Sequence, residues 1–91
     1  MRRVRVVVRG RVQGVGYRHS MASAAREAGA SGWVRNRRDG TVEAEIEGTT
    51  EQVEDVLAWA AQGPTAARVD GVSLTDVEAT GDTGFEMRAT L

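Results

Sequence analysis

The chain has 91 residues, 41% of them hydrophobic and 27% charged, with no cysteine and one histidine. A chain of this size builds one domain around one modest core, and the missing thiols exclude disulfides and thiolate metal sites and point to a reducing, cytoplasmic setting. The formal charge of −1 conceals an asymmetry: residues 1–38 carry ten arginines against one acid, net +9, whereas residues 39–91 carry two arginines against twelve acids, net −10. Two readings of that asymmetry stand open. The halves interleave and neutralise each other, or the basic half attracts an anionic ligand. No apolar run has the length of a membrane span, and arginines at 2, 3, 5 and 9 interrupt the N-terminus too often for a signal peptide.

Val4, Val6 and Val8 alternate with Arg3, Arg5, Val7 and Arg9, the period of two expected of a half-buried strand. Next comes Gly10-Arg11-Val12-Gln13-Gly14-Val15-Gly16-Tyr17-Arg18. Glycines at 10, 14 and 16 let backbone N–H groups turn toward an anion with no Cβ in the way. The helix expected behind them adds unpaired N–H donors, and Arg18 adds a planar guanidinium suited to a phosphate. Plain chain reversal is the competing reading. An arginine in the first turn of a helix opposes the helix dipole, which favours a shared anion there.

Met21, Ala24, Ala25 and Ala28 fall at helical spacing over about residues 18–28, with Gly29 as the stop. Gly32-Trp33-Val34-Arg35-Asn36 reads as a second strand, followed by a turn over Arg37-Arg38-Asp39-Gly40. Thr41 to Glu47 reads as a third strand, with Val42, Ala44 and Ile46 inward and Glu43, Glu45 and Glu47 facing water. Thr49 and Gln52 form a capping box ahead of a stripe at Val53, Val56, Leu57 and Ala60, which Gly63-Pro64 ends. Residues 68–77 form a fourth strand with a bulge expected near Gly71, because Val69 and Val72 have opposite parity. The last strand carries Phe85, Met87, Ala89 and Leu91 on one face.

The order β-α-β-β-α-β plus a short C-terminal strand predicts an α+β, ferredoxin-like domain: an antiparallel sheet with two helices on one face. That topology lets the end of the second strand approach the turn after the first, bringing Asn36 toward residues 13–18.

The glycine turn fits neither common phosphate loop. A P-loop needs a lysine, and the chain has none; the dinucleotide fingerprint needs a third glycine where His19 stands. Instead, residues 10–18 and 32–36 resemble the two signature segments of the acylphosphatase family. The resemblance extends through Asp39-Gly40-Thr41-Val42, Gly63-Pro64 and Phe85-Glu86-Met87-Arg88, and so covers residues 1–91 as a single acylphosphatase-like domain. It implies metal-free, cofactor-free hydrolysis of a small-molecule acyl phosphate to carboxylate and inorganic phosphate. It also implies that Gln13, Gly14, Val15, Gly16, Tyr17 and Arg18 hold the phosphate, and that Asn36 positions the attacking water. The chain departs from many relatives at Ala28-Gly29-Ala30, where a leucine pair is common, at Arg37, where some have threonine, and in its tail, Ala89-Thr90-Leu91.

The remaining candidates carry less chemistry. One histidine without cysteine or a carboxylate cluster does not make a metal site, and His19 is expected at the surface. Ser20 and Ser23 lack a nucleophile-elbow context. Trp33 and Trp59 are expected as core or core-edge anchors. The alternative function is a non-catalytic ferredoxin-like module that binds an anion or RNA. The first and third strands present no aromatic residues on the outward face, and the third presents glutamates, which disfavours RNA. A monomer acting without nucleic acid or membrane is expected.

Overall fold

The computed structural model describes residues 1–90. The elements are β1 (Arg2–Arg11), α1 (Tyr17–Ala28), β2 (Ser31–Asn36), β3 (Val42–Gly48), α2 (Thr50–Gln62), β4 (Arg68–Val77) and β5 (Phe85–Met87). They form one five-stranded sheet in the order β4-β1-β3-β2-β5. The pairs β1–β3, β1–β4 and β2–β3 are antiparallel, as expected. The fifth strand, whose place the pattern left undetermined, lies parallel to β2 at the sheet edge, so the sheet is mixed.

Each strand follows from its alternation. Val4, Val6 and Val8 of β1, Val34 of β2 and Val42, Ala44 and Ile46 of β3 point to one face and are buried. Both helices cover that face, with Met21, Ala22 and Ala25 of α1 and Val53, Val56 and Ala60 of α2 completing the core. Alanines on α1 let its backbone pack close to the sheet. The capping box forms as expected: the Thr49 hydroxyl accepts the Gln52 N–H at 3.1 Å, and the Gln52 side-chain Oε1 accepts the Thr49 N–H at 2.9 Å. No described helix is long and apolar enough to cross a membrane.

The bulge expected near Gly71 is present. Arg9 pairs with Gly71 and Gly10 with Val69, which leaves Asp70 as the extra residue. Gly10 belongs to this feature and not to the turn that follows. Its φ is +129°, and a Cβ there would stand 2.1 Å from the Arg68 carbonyl oxygen. It permits close strand approach, which removes it from the three glycines expected around an anion.

Two further expectations are corrected. Glu43 and Glu47 do not face water: they are only 8% and 2% exposed. The sheet face opposite the helices is closed by ion pairs and by the connection between β4 and β5. Arg3, itself buried, donates to Glu45 at 2.7 Å, Glu47 at 3.1 Å, the Thr80 hydroxyl at 3.0 Å and Asp82 at 3.1 Å. Glu47 also accepts the backbone N–H groups of Thr80 and Gly81 at 2.7 and 2.9 Å. The last strand is shorter than expected: it ends at Met87, which pairs with Val34 of β2. Ala89 lies beyond it, and Leu91 falls outside the described residues.

Candidate functional site

β1 and β2 both run antiparallel to β3, so their C-terminal ends share one edge of the sheet. The turn of residues 12–16 crosses that edge and enters α1. Gly14 and Gly16 adopt left-handed conformations, φ +74° and +78°, with no atom within 4 Å of where a Cβ would stand. Gly16 is the N-cap of α1, and no side chain caps the helix. The N–H groups of its first turn therefore lack intrahelical partners and face outward with the positive end of the dipole.

A cavity of about 370 Å³ opens here, lined by Val12, Gly14, Gly16, Tyr17, Arg18, His19, Asn36 and Met87. The two separate segments singled out in the sequence thus meet in one place. Asn36 reaches it from the end of β2, on the same face as Val34. Its Oδ1 is buried without any hydrogen-bond partner, alone among the described side chains in this respect. A buried carbonyl oxygen in that state is poised to accept from a ligand or water.

Arg18 is half-buried, and its Nη1 donates to the Arg88 carbonyl oxygen at 3.2 Å. It forms no ion pair with a carboxylate among the described residues, so its charge stays available.

Gln13 and Val15 do not line the cavity. Gln13 Nε2 donates to the carbonyls of Arg37 and Thr41, at 2.6 and 2.9 Å, and ties the turn to the β2–β3 connection. Val15 packs against the core. Tyr17 contributes at the wall, but its side chain points inward: the hydroxyl donates to the Ala60 carbonyl at 2.6 Å, and burial pushes its ionisation well above the ordinary phenol range. His19 is exposed, as expected, and also borders the cavity. Met87 and the Arg88 carbonyl were not singled out from the sequence. Only the parallel pairing of β5 with β2 brings them here, and no sequence signal specified that pairing.

Trp33 is buried on the other sheet face, with the guanidiniums of Arg35 and Arg88 at 4.9 and 4.8 Å from its ring. It offers no free ring for stacking. Trp59 packs on Tyr17, ring centroids 5.1 Å apart. A second cavity of about 370 Å³ on the Trp33 side is lined by Arg35, Arg37, Arg38, Asp39 and Glu43. Its charges are largely self-paired, Arg35 with Glu43 at 2.8 Å and Arg37 with Asp39 at 3.8 Å. The Thr41 hydroxyl and N–H hold the Asp39 carboxyl below its usual range. Among the described residues, no group of three or more His, Asp or Glu side chains gathers to hold a metal ion.

Comparison with known proteins agrees over nearly all of the chain. The family described as Acylphosphatase matches residues 4–87. An acylphosphatase of Anaeromyxobacter dehalogenans is 53% identical over 87 residues, 94% of either chain. One of Thermococcus kodakarensis is 54% identical over 89 residues, 96% of this chain and 98% of that one. The crystal structure of acylphosphatase from Bacillus subtilis matches with a TM-score of 0.93 at 32% identity, over 97% of this chain and 99% of that one.

Proposed function

The chain belongs to the acylphosphatase family, and on that premise we propose that residues 13–18 hold the phosphoryl group of an acyl phosphate while Asn36 positions the water that attacks it. The observation that carries this reading is that Asn36, whose buried Oδ1 has no hydrogen-bond partner, lines the same cavity as Gly14, Gly16 and Arg18.

An acyl phosphate is a mixed anhydride whose leaving group is a carboxylate, with a pKa of ~4. It departs without a general acid at neutral pH, so the protein has only to bind, neutralise and align. Backbone N–H groups at the glycine turn and the first turn of α1 meet the phosphoryl oxygens, and the guanidinium of Arg18 balances their charge. Gln13 acts one step back, fixing the turn against residues 37 and 41, and Val15 anchors it in the core. The Asn36 Oδ1 accepts a hydrogen bond from the water and aligns its lone pair with phosphorus. A phosphoryl oxygen of the substrate takes the water's proton, and the P–O bond to the acyl group breaks. The products are carboxylate and inorganic phosphate. The glycine turn is on this reading a phosphate-binding loop, and no metal or cofactor takes part. The absence of cysteine suits the cytoplasm.

The test is Asn36→Ala with a synthetic acyl phosphate. The expected result is a kcat about 10²–10³ lower, the scale for one aligned polar group. KM and inhibition by inorganic phosphate stay within about threefold. A rise in KM at unchanged kcat would make Asn36 a binding residue and refute the water-positioning role.

A further inference from the structure

An acyl phosphate has two halves, and the groups assigned above account for only one. The cage of N–H donors and guanidinium is polar and receives the phosphoryl half. The acyl half must lie against what remains of the cavity wall. Val12 and Tyr17 line it but are each only 1% exposed, and the glycines carry no side chain. Met87 is 41% exposed, the one apolar side chain of the wall with surface to offer among the described residues.

Its position is fixed from both sides. Met87 pairs with Val34, two residues before Asn36 on the same strand, and the Arg88 N–H donates to the Val34 carbonyl at 2.8 Å. The Arg88 carbonyl in turn receives Arg18. The Met87 backbone is therefore held in register with both functional side chains, while its thioether remains free to adapt to what it meets. Methionine suits that task, being unbranched, polarizable and favourable against aromatic ring edges.

Building on the phosphate-cage reading above, we propose that Met87 is a specificity-determining residue, an apolar platform for the acyl group that favours bulky or aromatic acyl phosphates over acetyl phosphate. An acetyl group adds one methyl and gains little from the platform. A benzoyl group lays a ring on it.

The experiment compares kcat/KM for benzoyl phosphate and acetyl phosphate in the wild type, Met87→Ser and Met87→Gln. Glutamine keeps the length of the side chain but not its apolar surface, and it carries the comparison should the serine variant not fold. The expected result is a benzoyl-to-acetyl ratio about tenfold lower in both variants, the scale for losing an apolar contact in a specificity pocket. Acetyl phosphate turnover and inhibition by inorganic phosphate stay near wild type. An unchanged ratio, or an equal fall with both substrates, would overturn the proposal and leave the phosphate cage standing. A wild type that hydrolyses neither substrate would strike the cage reading itself.

Discussion

Tyr17 follows the glycine turn directly, and its hydroxyl tests how α1 is fastened behind the site. The Ala60 carbonyl lies in the last turn of α2, where its helical donor would be four residues on. That residue is Pro64, which has no N–H. The Gly63 N–H goes to the Trp59 carbonyl instead, so the Tyr17 hydroxyl, 2.6 Å away, satisfies Ala60. Tyr17→Phe deletes one oxygen and keeps the ring against Trp59, so packing is preserved and only the hydrogen bond is lost. A buried acceptor left unpaired costs about 2 kcal/mol, which for a domain of this size lowers Tm by about 8–16 °C. Urea unfolding followed by tryptophan fluorescence should show a lower midpoint at unchanged slope, since the area exposed on unfolding is the same. Burial holds the phenol protonated well above its ordinary range, so the deficit should persist into alkaline buffers. A loss under about 0.5 kcal/mol would refute the reasoning, showing that Ala60 finds another donor.

Arg18→Ala should lower kcat/KM by about 10²–10³ and weaken inhibition by inorganic phosphate, while thermal stability changes by at most about 1 kcal/mol, since the bond to Arg88 is long and half-exposed. Near wild-type hydrolysis would remove Arg18 from the cage. Acid should loosen the closed sheet face. The Thr80 N–H, then Arg3 and the Gly81 N–H against some desolvation, hold the Glu47 carboxyl below its usual 4.5, and hydrogen bonds from Arg3 and Arg5 outweigh burial to do the same for Glu45. A depressed folded pKa contributes stability above the unfolded value and loses it as pH falls through the folded one. The Tm of the wild type should therefore drop below about pH 4.5, and its gap to Glu47→Gln should narrow there. Parallel Tm profiles for the two proteins would contradict this.

The helix-facing half of the molecule was legible because burial there is periodic. Val4, Val6, Val8, Val42, Ala44 and Ile46 announce one face, and helical spacing announces what covers it. The opposite face was not legible, because alternation separates apolar from polar positions without saying what lies over the polar ones. Glu47 is buried by residues 80–82, more than thirty positions later, through contacts that leave no local pattern. Gly10 and Gly14 look alike in sequence. Only the bulge at Asp70 separates the glycine that admits a neighbouring strand from the one that opens the cavity. In the candidate site, the approach of Arg18 and Asn36 to one cavity was legible because each closes a motif, whereas Met87 depends on a parallel pairing that no turn or spacing encodes.

The charge asymmetry resolves in the same spatial terms. The neutralising reading holds across the sheet, and the arginines it leaves over bear on the proposed anion site. Across β1, β3 and β2, Arg3 and Arg5 meet Glu45, Arg3 meets Glu47 and Arg35 meets Glu43, so the basic and acidic halves cancel where the strands interleave. Arg9, Arg11, Arg18, Arg26 and Arg38 have no carboxylate partner among the described residues; Arg11, Arg18 and Arg38 stand at or beyond the strand ends that border the cavity, whereas Arg26 lies in the last turn of α1. A chain with net charge −1 thus keeps three of its five uncompensated arginines at the edge where a phosphoryl dianion would arrive. With a screening length of about 8 Å at physiological salt, that local excess matters to an approaching anion more than the net charge of the whole molecule.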